Sequence, residues 1–149
     1  MKDVSIYIYT QFYGSLSNGS GIYHIIWETM INRNGREEPF TLKKIATFEN
    51  ITHNRLDLLA LKEAFDHMKE CCRIVIYIDS QYITSAISNG WLDSWVADNF
   101  KKKGKEIKHA DLWKKIAHGM AQHEVTLKAG KTEYTSIQIF EVERQNGRL

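Results

Sequence analysis

Cysteine, proline and long apolar runs are scarce in this sequence. Its 149 residues include two cysteines and one proline, and no run approaches the roughly 18 consecutive apolar residues that a transmembrane helix needs. Cys71 and Cys72 are adjacent. Adjacent cysteines rarely form an unstrained disulfide, and two cysteines do not complete a zinc site. No apolar signal segment follows Met1. These shortages favour an intracellular protein in a reducing, cytoplasmic compartment and argue against a membrane partner.

Charge is nearly balanced over the whole chain but not along it. The formal net charge is +2. Residues 101–115 contain seven lysines against Glu106 and Asp111, whereas residues 4–22 contain no Asp or Glu. A local excess of positive charge attracts phosphate even when the whole protein is nearly neutral. The lysine-rich segment is therefore a candidate nucleic-acid contact, with a solvated, flexible lysine face as the alternative.

Hydrophobic periodicity predicts a mixture of strands and helices in one domain spanning residues 1–149. No linker, repeat or low-complexity tract interrupts the chain. Residues 132–146 satisfy neither the strand period nor the helix period cleanly and are left unassigned. The order of elements fits one mixed α/β sheet with helices against it. The predicted strands are 4–10, 22–28, 40–49, 73–79 and 124–128, and the predicted helices are 52–68, 80–89, 91–97 and 111–121.

Two carboxylates are placed to meet at one edge of the predicted sheet. Asp57 lies in the first turns of a helix, and Asp79 ends a nearly continuous apolar strand. The ends of central strands are where α/β folds bind ligands. Alone, a strand-end aspartate more often caps a helix or closes a turn, so each residue is weak as an indicator of a site. The surrounding motifs decide how the pair is interpreted.

The motifs around these carboxylates resemble those of the ribonuclease H family. The segment THNRLDLLA at 52–60 is similar to the family's Thr-Asn-Asn-Arg-Met-Glu-Leu-Met-Ala, and IDSQY at 78–82 matches its Thr-Asp-Ser-Gln-Tyr. NGWLDSW, the lysine-rich segment at about 98–109 and KHADLW resemble the family's Trp-bearing helix, basic protrusion and following helix start. The resemblance covers most of the chain. It implies an α/β ribonuclease H-like fold with a mixed five-stranded sheet flanked by helices.

The resemblance also implies a reaction and a cofactor. Members of the family cut the RNA strand of RNA/DNA hybrids with two Mg²⁺ or Mn²⁺ ions held by four carboxylates. Carried over to this sequence, Asp57 occupies the helix position, where the family has Glu, and Asp79 occupies the strand-end position. Gln11 and Gln138 stand at the other two. A neutral amide is a poor replacement for a carboxylate beside two dications, so we expect an impaired or inactive centre with Asp57 and Asp79 as its remnant metal ligands.

A rebuilt centre is the alternative to this expectation. Glu133, Glu141 and Glu143 lie close to Gln138 in the sequence, and one of them is a possible substitute for the fourth carboxylate. Gln11 has no comparable substitute, because residues 4–22 contain no acid. No pair of the six histidines has convincing zinc-ligand spacing, so we assign no zinc.

The resemblance further implies a surface for nucleic acid. Small polar residues suit the wide, shallow minor groove of A-form-like duplexes, and lysines release counterions when they neutralise phosphates. Helix capping is an equally plausible role for Thr52, Asn54 and Ser80, and core packing is the alternative for Trp95. The candidate contacts are Thr52, Asn54, Ser80, Gln81, Trp95, Lys101, Lys102, Lys103, Lys105 and Lys108.

Three functions stay open at this point. The favoured one is a catalytically impaired ribonuclease H-like domain, without a metal cofactor, that binds RNA/DNA hybrid or another duplex. The second is an active ribonuclease H that depends on Mg²⁺ or Mn²⁺. The third is a module that binds a protein partner. Salt-sensitive hybrid binding separates the first from the third, and metal-dependent cleavage would establish the second.

Overall fold

A mixed five-stranded sheet organises the fold in the computed structural model, which describes residues 1–15 and 17–147. The strand order is β3-β2-β1-β4-β7, with β5 and β6 forming a separate two-stranded ribbon. The elements in chain order are β1 (Lys2–Ser15), β2 (Asn18–Arg33), β3 (Arg36–Ile51), α1 (His53–Asp66), β4 (Cys72–Tyr77), α2 (Gln81–Ser88), α3 (Trp91–Ala97), β5 (Lys101–Lys102), β6 (Lys105–Glu106), α4 (Ala110–Gln122), β7 (Glu124–Lys128) and α5 (Thr135–Gln145).

The pairing within the sheet confirms the predicted α/β architecture. The strands β1, β2 and β3 are antiparallel neighbours, whereas β4 is parallel to β1 and β7 is parallel to β4. Parallel neighbouring strands need a crossover connection. Helix α1 lies in the crossover that leads from β3 to β4. Because β1 and β4 run in the same direction, their carboxyl ends lie at the same edge of the sheet.

The first two strands extend beyond their predicted bounds of 4–10 and 22–28 into the glycine-rich segment between them. Ser15 pairs with Asn18, so the hairpin reverses within a few residues and the flanking glycines belong to the strands. A Cβ atom added at Gly21 would collide with the side chain of Leu56 on α1. Glycine here allows a close approach between strand and helix, a use of strand glycine that resembles turn chemistry in sequence.

The main core lies between one face of the sheet and the helices α1 and α4. Ile6 and Ile8 on β1 point to this face, where Leu58 and Leu61 of α1 and Trp113 of α4 are buried with them. Alternation along the strand sends Tyr7 to the opposite face. There its ring meets Tyr134, at the start of α5, with 4.7 Å between ring centroids.

Helix α5 lies in the segment that the sequence analysis left unassigned, and it covers part of the sheet. Its buried positions are Gln138 and Val142, whereas Ile137, Ile139 and Phe140 are 38–49% exposed. A polar residue on the buried face and apolar residues on the exposed face hide the helical period. Among the described residues, no helix is long and apolar enough to cross a membrane.

Candidate functional site

Asp57 lies on the first turns of α1, which begins where the side chain of Thr52 accepts a hydrogen bond from the Arg55 amide at 3.1 Å. The Asp57 carboxylate is 4% exposed and accepts a hydrogen bond from the Thr10 hydroxyl at 2.9 Å. His53 Nε2 lies 3.7 Å from the other carboxylate oxygen. Burial raises the pKa of Asp57, and the Thr10 hydrogen bond, His53 and the Ser80 hydrogen bond only partly oppose this.

Asp79 follows β4 and reaches the same edge of the sheet. It is exposed and accepts a hydrogen bond from the Gly130 amide at 2.9 Å, in the loop between β7 and α5. The next residue, Ser80, is buried, caps α2 by accepting from the Ile83 amide at 3.2 Å, and hydrogen-bonds Asp57. The structure therefore places Asp57 and Asp79 next to one residue, Ser80.

Gln11 does not face Asp79. Its Nε2 donates to the Tyr9 hydroxyl at 2.6 Å and to Glu143 on α5 at 3.1 Å, and its carbonyl oxygen accepts from the Tyr13 hydroxyl. Since Tyr7 pairs with Tyr77, continuing the register by two residues places Tyr9 level with Asp79. Tyr9 is a site residue that the sequence did not indicate, because the strand motif was anchored on Tyr9-Thr10.

Gln138 is a buried anchor for α5. It is 2% exposed, and its Nε2 lies 3.0 Å from the Tyr7 carbonyl oxygen and 3.2 Å from the His24 carbonyl oxygen. The ring Nδ1 of His24, which is also buried, lies 3.3 Å away. The side chain thus joins α5 to β1 and β2, and it contacts neither Asp57 nor Asp79 through any of these bonds.

The three glutamates near Gln138 point to different partners. Glu143 accepts from Gln11, Glu133 accepts from the Tyr7 hydroxyl at 3.4 Å, and Glu141 pairs with Arg144 at 2.7 Å. These bonds direct the carboxylates to separate places on α5 and the preceding loop.

The lysine-rich segment forms the β5–β6 ribbon, a feature absent from the predicted elements. Its turn uses Lys103 and Gly104 in the left-handed region, at φ 53° and 79°. The lysines at 101, 102, 103, 105 and 108 are all exposed. Trp95 is half-buried, with its ring centroid 5.1 Å from that of Trp113. The exposed tryptophan of this region is Trp91, at 48% exposure.

An ion pair ties the exit of the ribbon to the start of α1. The Arg55 guanidinium reaches Asp111 on α4 at 2.7 Å and His109 Nδ1 at 3.1 Å. The hydrogen bond from Arg55 lowers the pKa of Asp111, so the pair stays charged at neutral pH. Asn54, beside Arg55, and Gln81, at the start of α2, are both exposed.

A cavity of about 320 Å³ opens between the ends of β1 and β4 and the loop before α5. Tyr7 and Tyr77 lie in its wall and stack on each other with 4.9 Å between ring centroids. The Glu28 carboxylate raises the pKa of Tyr134 to about 12, and burial raises that of Tyr7, so both rings stay neutral phenols. The cavity is lined by residues that include Tyr7, Tyr9, Tyr77, Asp79, Lys131 and Gln138.

Comparison with known proteins agrees with this fold. A profile of the RNase H family matches residues 7–132. The chain belongs to the RNase H family. Ribonuclease H of Chlorobium luteolum is 42% identical over 76 residues, which cover 50% of this chain and 52% of that protein. Ribonuclease H of Caldicellulosiruptor saccharolyticus is 36% identical over 88 residues, covering 58% and 61%. The matches thus span 52% and 61% of these relatives' own length.

Solved RNase H structures share the fold over nearly the whole chain. LC9-RNase H1, described as a type 1 RNase H with the type 2 active-site motif, aligns with a TM-score of 0.74 at 20% identity over 99% of this chain and 74% of that one. LC11-RNase H1, solved in complex with RNA/DNA hybrid, aligns with a TM-score of 0.58 at 15% identity over 95% and 94%. At these identities the likeness shows the fold alone.

The residues of this RNase H family member do not fit the two-ion centre that the family implies. Two divalent ions need several hard oxygen ligands with negative charge. Within residues 1–15 and 17–147, no group of three or more His, Cys, Asp or Glu side chains is arranged to hold a metal ion. Asp57 is instead held by hydroxyl groups, Tyr9 stands level with Asp79, and Gln138 binds backbone carbonyl groups.

Proposed function

We propose that this chain is an RNase H-like domain that binds RNA/DNA hybrid, or another nucleic-acid duplex, and does not cleave it by two-metal chemistry. The observation that carries the proposal is the contrast between the carboxylate positions and the basic ribbon. Two of the four carboxylate positions implied by the family hold Gln11 and Gln138, whereas the lysine ribbon and the exposed polar helix starts are kept. The proposal therefore assigns binding, and not hydrolysis, to this chain.

The β5–β6 ribbon supplies the grip on phosphate. Its lysines lie on and beside two short strands and are exposed, so their ammonium groups reach solvent. The Arg55–Asp111 pair fixes the ribbon's exit against α1, whose Asn54 is exposed. We assign Lys101, Lys102, Lys103, Lys105 and Lys108 to the phosphate contacts of one strand, and Asn54 and Gln81 to the minor-groove side.

Thr52, Ser80 and Trp95 have a supporting role in this proposal. Thr52 and Ser80 cap α1 and α2, so they hold Asn54 and Gln81 at the surface. The Trp95 ring packs on Trp113 under the ribbon. Their main contribution is to position the surface, and a direct contact of Thr52 with the duplex is compatible with its cap.

Asp57 and Asp79 are remnants of the metal centre in this proposal. The buried Asp57 carboxyl accepts hydrogen bonds and joins α1 to β1 and α2. Asp79 orders the loop before α5 through the Gly130 amide. No Mg²⁺ or Mn²⁺ cofactor is then required for binding.

The partner class is supported by the relatives and by the surface. LC11-RNase H1 was solved in complex with RNA/DNA hybrid, and it aligns over 95% of this chain. The free thiols of Cys71 and Cys72 fit a reducing, cytoplasmic location. A protein partner remains the competing role for the same face, and the salt dependence of hybrid binding separates the two.

Neutralising lysines of the ribbon tests directly whether they bind the phosphates of the duplex. We expect Lys102→Gln/Lys103→Gln/Lys105→Gln to weaken binding of a fluorescently labelled RNA/DNA hybrid about tenfold or more at about 100 mM salt, measured by anisotropy. The slope of log affinity against log salt should fall by about 0.7–0.9 for each phosphate contact removed. The physical reason is that fewer counterions are released when fewer phosphates are neutralised.

The matched control places the same charge change elsewhere. Lys2→Gln/Lys43→Gln/Lys69→Gln removes three exposed lysines from β1, β3 and the loop before β4, and it should leave affinity and slope nearly unchanged. Equal losses in both variants would mean that net charge alone drives binding. Absence of hybrid binding by the wild-type protein would reject the proposal and favour a protein partner.

A further inference from the structure

The cavity between β1, β4 and the loop before α5 has the shape and chemistry of a base-binding pocket. Its volume of about 320 Å³ lies at the lower end of the range for small-ligand sites. It opens at the carboxyl ends of β1 and β4, the same edge that carries Ser80 and the start of α2. A nucleic acid that contacts Gln81 and Asn54 therefore passes close to its mouth.

The tyrosine rings of the cavity are held in place before any ligand arrives. The Tyr7 ring stacks on that of Tyr77 with an interplanar angle of 2° and stands at 72° to that of Tyr134. Tyr7 is therefore buried against other rings, and Tyr9 and Tyr77 are the partly exposed tyrosines of the wall. The Tyr7 hydroxyl lies within hydrogen-bonding distance of the carboxylates of Glu28 and Glu133, at 3.5 Å and 3.4 Å. Gln11 Nε2 donates to the Tyr9 hydroxyl at 2.6 Å, which fixes the ring level with Asp79. Rigid aromatic surfaces favour stacking because little conformational freedom is lost on binding.

The cavity wall carries one negative and one positive side chain, Asp79 and Lys131. Asp79 lines the wall, with one oxygen accepting from the Gly130 amide, and its charge repels an anion. A divalent cation lacks further acidic ligands there, since Tyr9 and Gln138 take the neighbouring positions. A flat, neutral ring with N–H donors meets both conditions, because it stacks on tyrosine and donates to the carboxylate. Lys131, exposed at the same loop, suits the phosphate attached to such a ring.

We infer that this pocket receives one unpaired nucleobase of the bound nucleic acid. The inference rests on the proposed function, because the base arrives with a duplex held by the lysine ribbon. It adds a substrate preference that the ribbon does not provide. The domain should prefer a hybrid with a bulged nucleotide over a fully paired hybrid, since an unpaired base enters the pocket without the cost of breaking a base pair.

A bulged probe tests this inference in wild-type protein. Two hybrids of equal length carry the fluorescent base 2-aminopurine, one at a single-nucleotide bulge and one in a fully paired position. We expect the bulged hybrid to bind about tenfold more tightly by anisotropy, the effect of one stacked base. The fluorescence of the bulged base should fall on binding as it stacks on tyrosine, and that of the paired base should not change.

Two variants assign the effect to the pocket. Tyr9→Leu removes a ring from the cavity wall and should reduce the preference for the bulge to within about twofold. Phe40→Leu removes an exposed ring from β3, outside the cavity, and should keep the preference. Both variants should bind the fully paired hybrid with wild-type affinity, because neither changes the lysine ribbon.

The outcomes separate the two proposals. Equal affinity of wild-type protein for both hybrids, with unchanged fluorescence, overturns the pocket assignment and leaves duplex binding intact. Failure to bind the fully paired hybrid rejects the proposed function, and the inference falls with it. In another outcome, a free nucleoside monophosphate displaces the fluorescent base while anisotropy shows that the hybrid is still bound. That result would overturn the pocket assignment, because the pocket would then be a site for free nucleotides.

Discussion

Asp57 places a carboxylate in a buried position whose polar neighbours are the hydroxyls of Thr10 and Ser80 and the ring of His53. A buried carboxylate is tolerated at neutral pH when its partners stabilise the charge, and here burial outweighs them, because the pKa is raised. A carboxylate kept under these conditions has a stability cost.

Removing the charge of Asp57 should therefore stabilise the fold. Because the pKa is raised in the folded state, ionisation destabilises the protein fully above the folded-state pKa and not at all below the unfolded-state pKa of 3.8. Asp57→Asn keeps an acceptor oxygen for Thr10, so we expect a melting temperature a few degrees higher at about pH 8, since each kcal/mol shifts it by about 2–4 °C. The gain should shrink as the pH is lowered toward 3.8.

Asp79→Asn is the matched comparison, since Asp79 is exposed and no comparable gain is expected there. A loss of stability in Asp57→Asn at about pH 8 would show that the native site favours the charged carboxylate. Stabilisation of the wild-type protein by Mg²⁺, absent in Asp57→Asn, would show that Asp57 still binds metal.

Gln138 shows that a residue at a catalytic position in the family alignment can have a purely structural role. Its amide donates toward the carbonyl oxygens of Tyr7 and His24 in a fully buried contact. The change Gln138→Asp would reinstate the family's carboxylate, and it would also place a negative charge among acceptors. We expect it to lower the free energy of unfolding by about 2–3 kcal/mol in urea denaturation.

Gln145→Asp, an exposed position on the same helix, is the control and should change stability by about 0.5 kcal/mol or less. Equal stability of the two variants would contradict the structural role of Gln138. It would also reopen the possibility that reinstating one carboxylate rebuilds the centre.

At the scale of elements, α5 packs against His24, a buried histidine whose protonated form is disfavoured. Burial lowers the pKa of His24 below 6.5, with Lys43 adding to the effect and Glu141 opposing it. Burial likewise lowers the pKa of His109 and of His123. A histidine with a lowered pKa binds more protons when unfolded, so its contribution is present above pH 6.5 and is lost as the pH falls below that value.

We therefore expect the free energy of unfolding to decline as the pH falls through 6.5, measured by urea denaturation at a series of pH values. In His109→Gln/His123→Gln the decline should be smaller but still present, because His24 remains. Backbone amides of α5 should exchange faster with solvent at the lower pH, since protonated His24 no longer accommodates the Gln138 amide. A stability that is flat or rises toward pH 5 would contradict this role.

The elements differ in how well the sequence predicted them. The strand at 124–128 and the helix at 91–97 were predicted with their observed bounds, and α1 began at its predicted Thr52 cap, because local periodicity and capping chemistry coincide there. Helix α5 was missed because Gln138 occupies a buried position. The β5–β6 ribbon was missed because two-residue strands of lysine carry no periodicity.

The candidate site was only partly predictable for a similar reason. Asp57 and Asp79 were expected at one edge, and the structure places both beside Ser80. The facing residue of β1 depends on the pairing of Tyr7 with Tyr77, a relation between strands far apart in sequence. Motif matching chose Gln11, whereas the register places Tyr9 level with Asp79. Neither residue is a carboxylate.

At the scale of the whole molecule, a family fold is combined with a changed centre. The sheet, α1, α4 and the lysine ribbon form the surface on which the proposed binding occurs, and the core beneath them is apolar and closely packed. At Asp57, Gln11 and Gln138, hydroxyl, phenol and amide groups hold the elements together. Under the proposed function, duplex binding does not depend on bound metal.

One measurement tests this conclusion most directly. Purified protein is incubated with an end-labelled RNA/DNA hybrid, with and without Mg²⁺ or Mn²⁺, and the same samples are run on native and denaturing gels beside Asp79→Asn. We predict a hybrid that is shifted on the native gel and uncut on the denaturing gel under every condition. Metal-dependent cleavage of the RNA strand that is lost in Asp79→Asn would contradict it and would mean that the centre has been rebuilt.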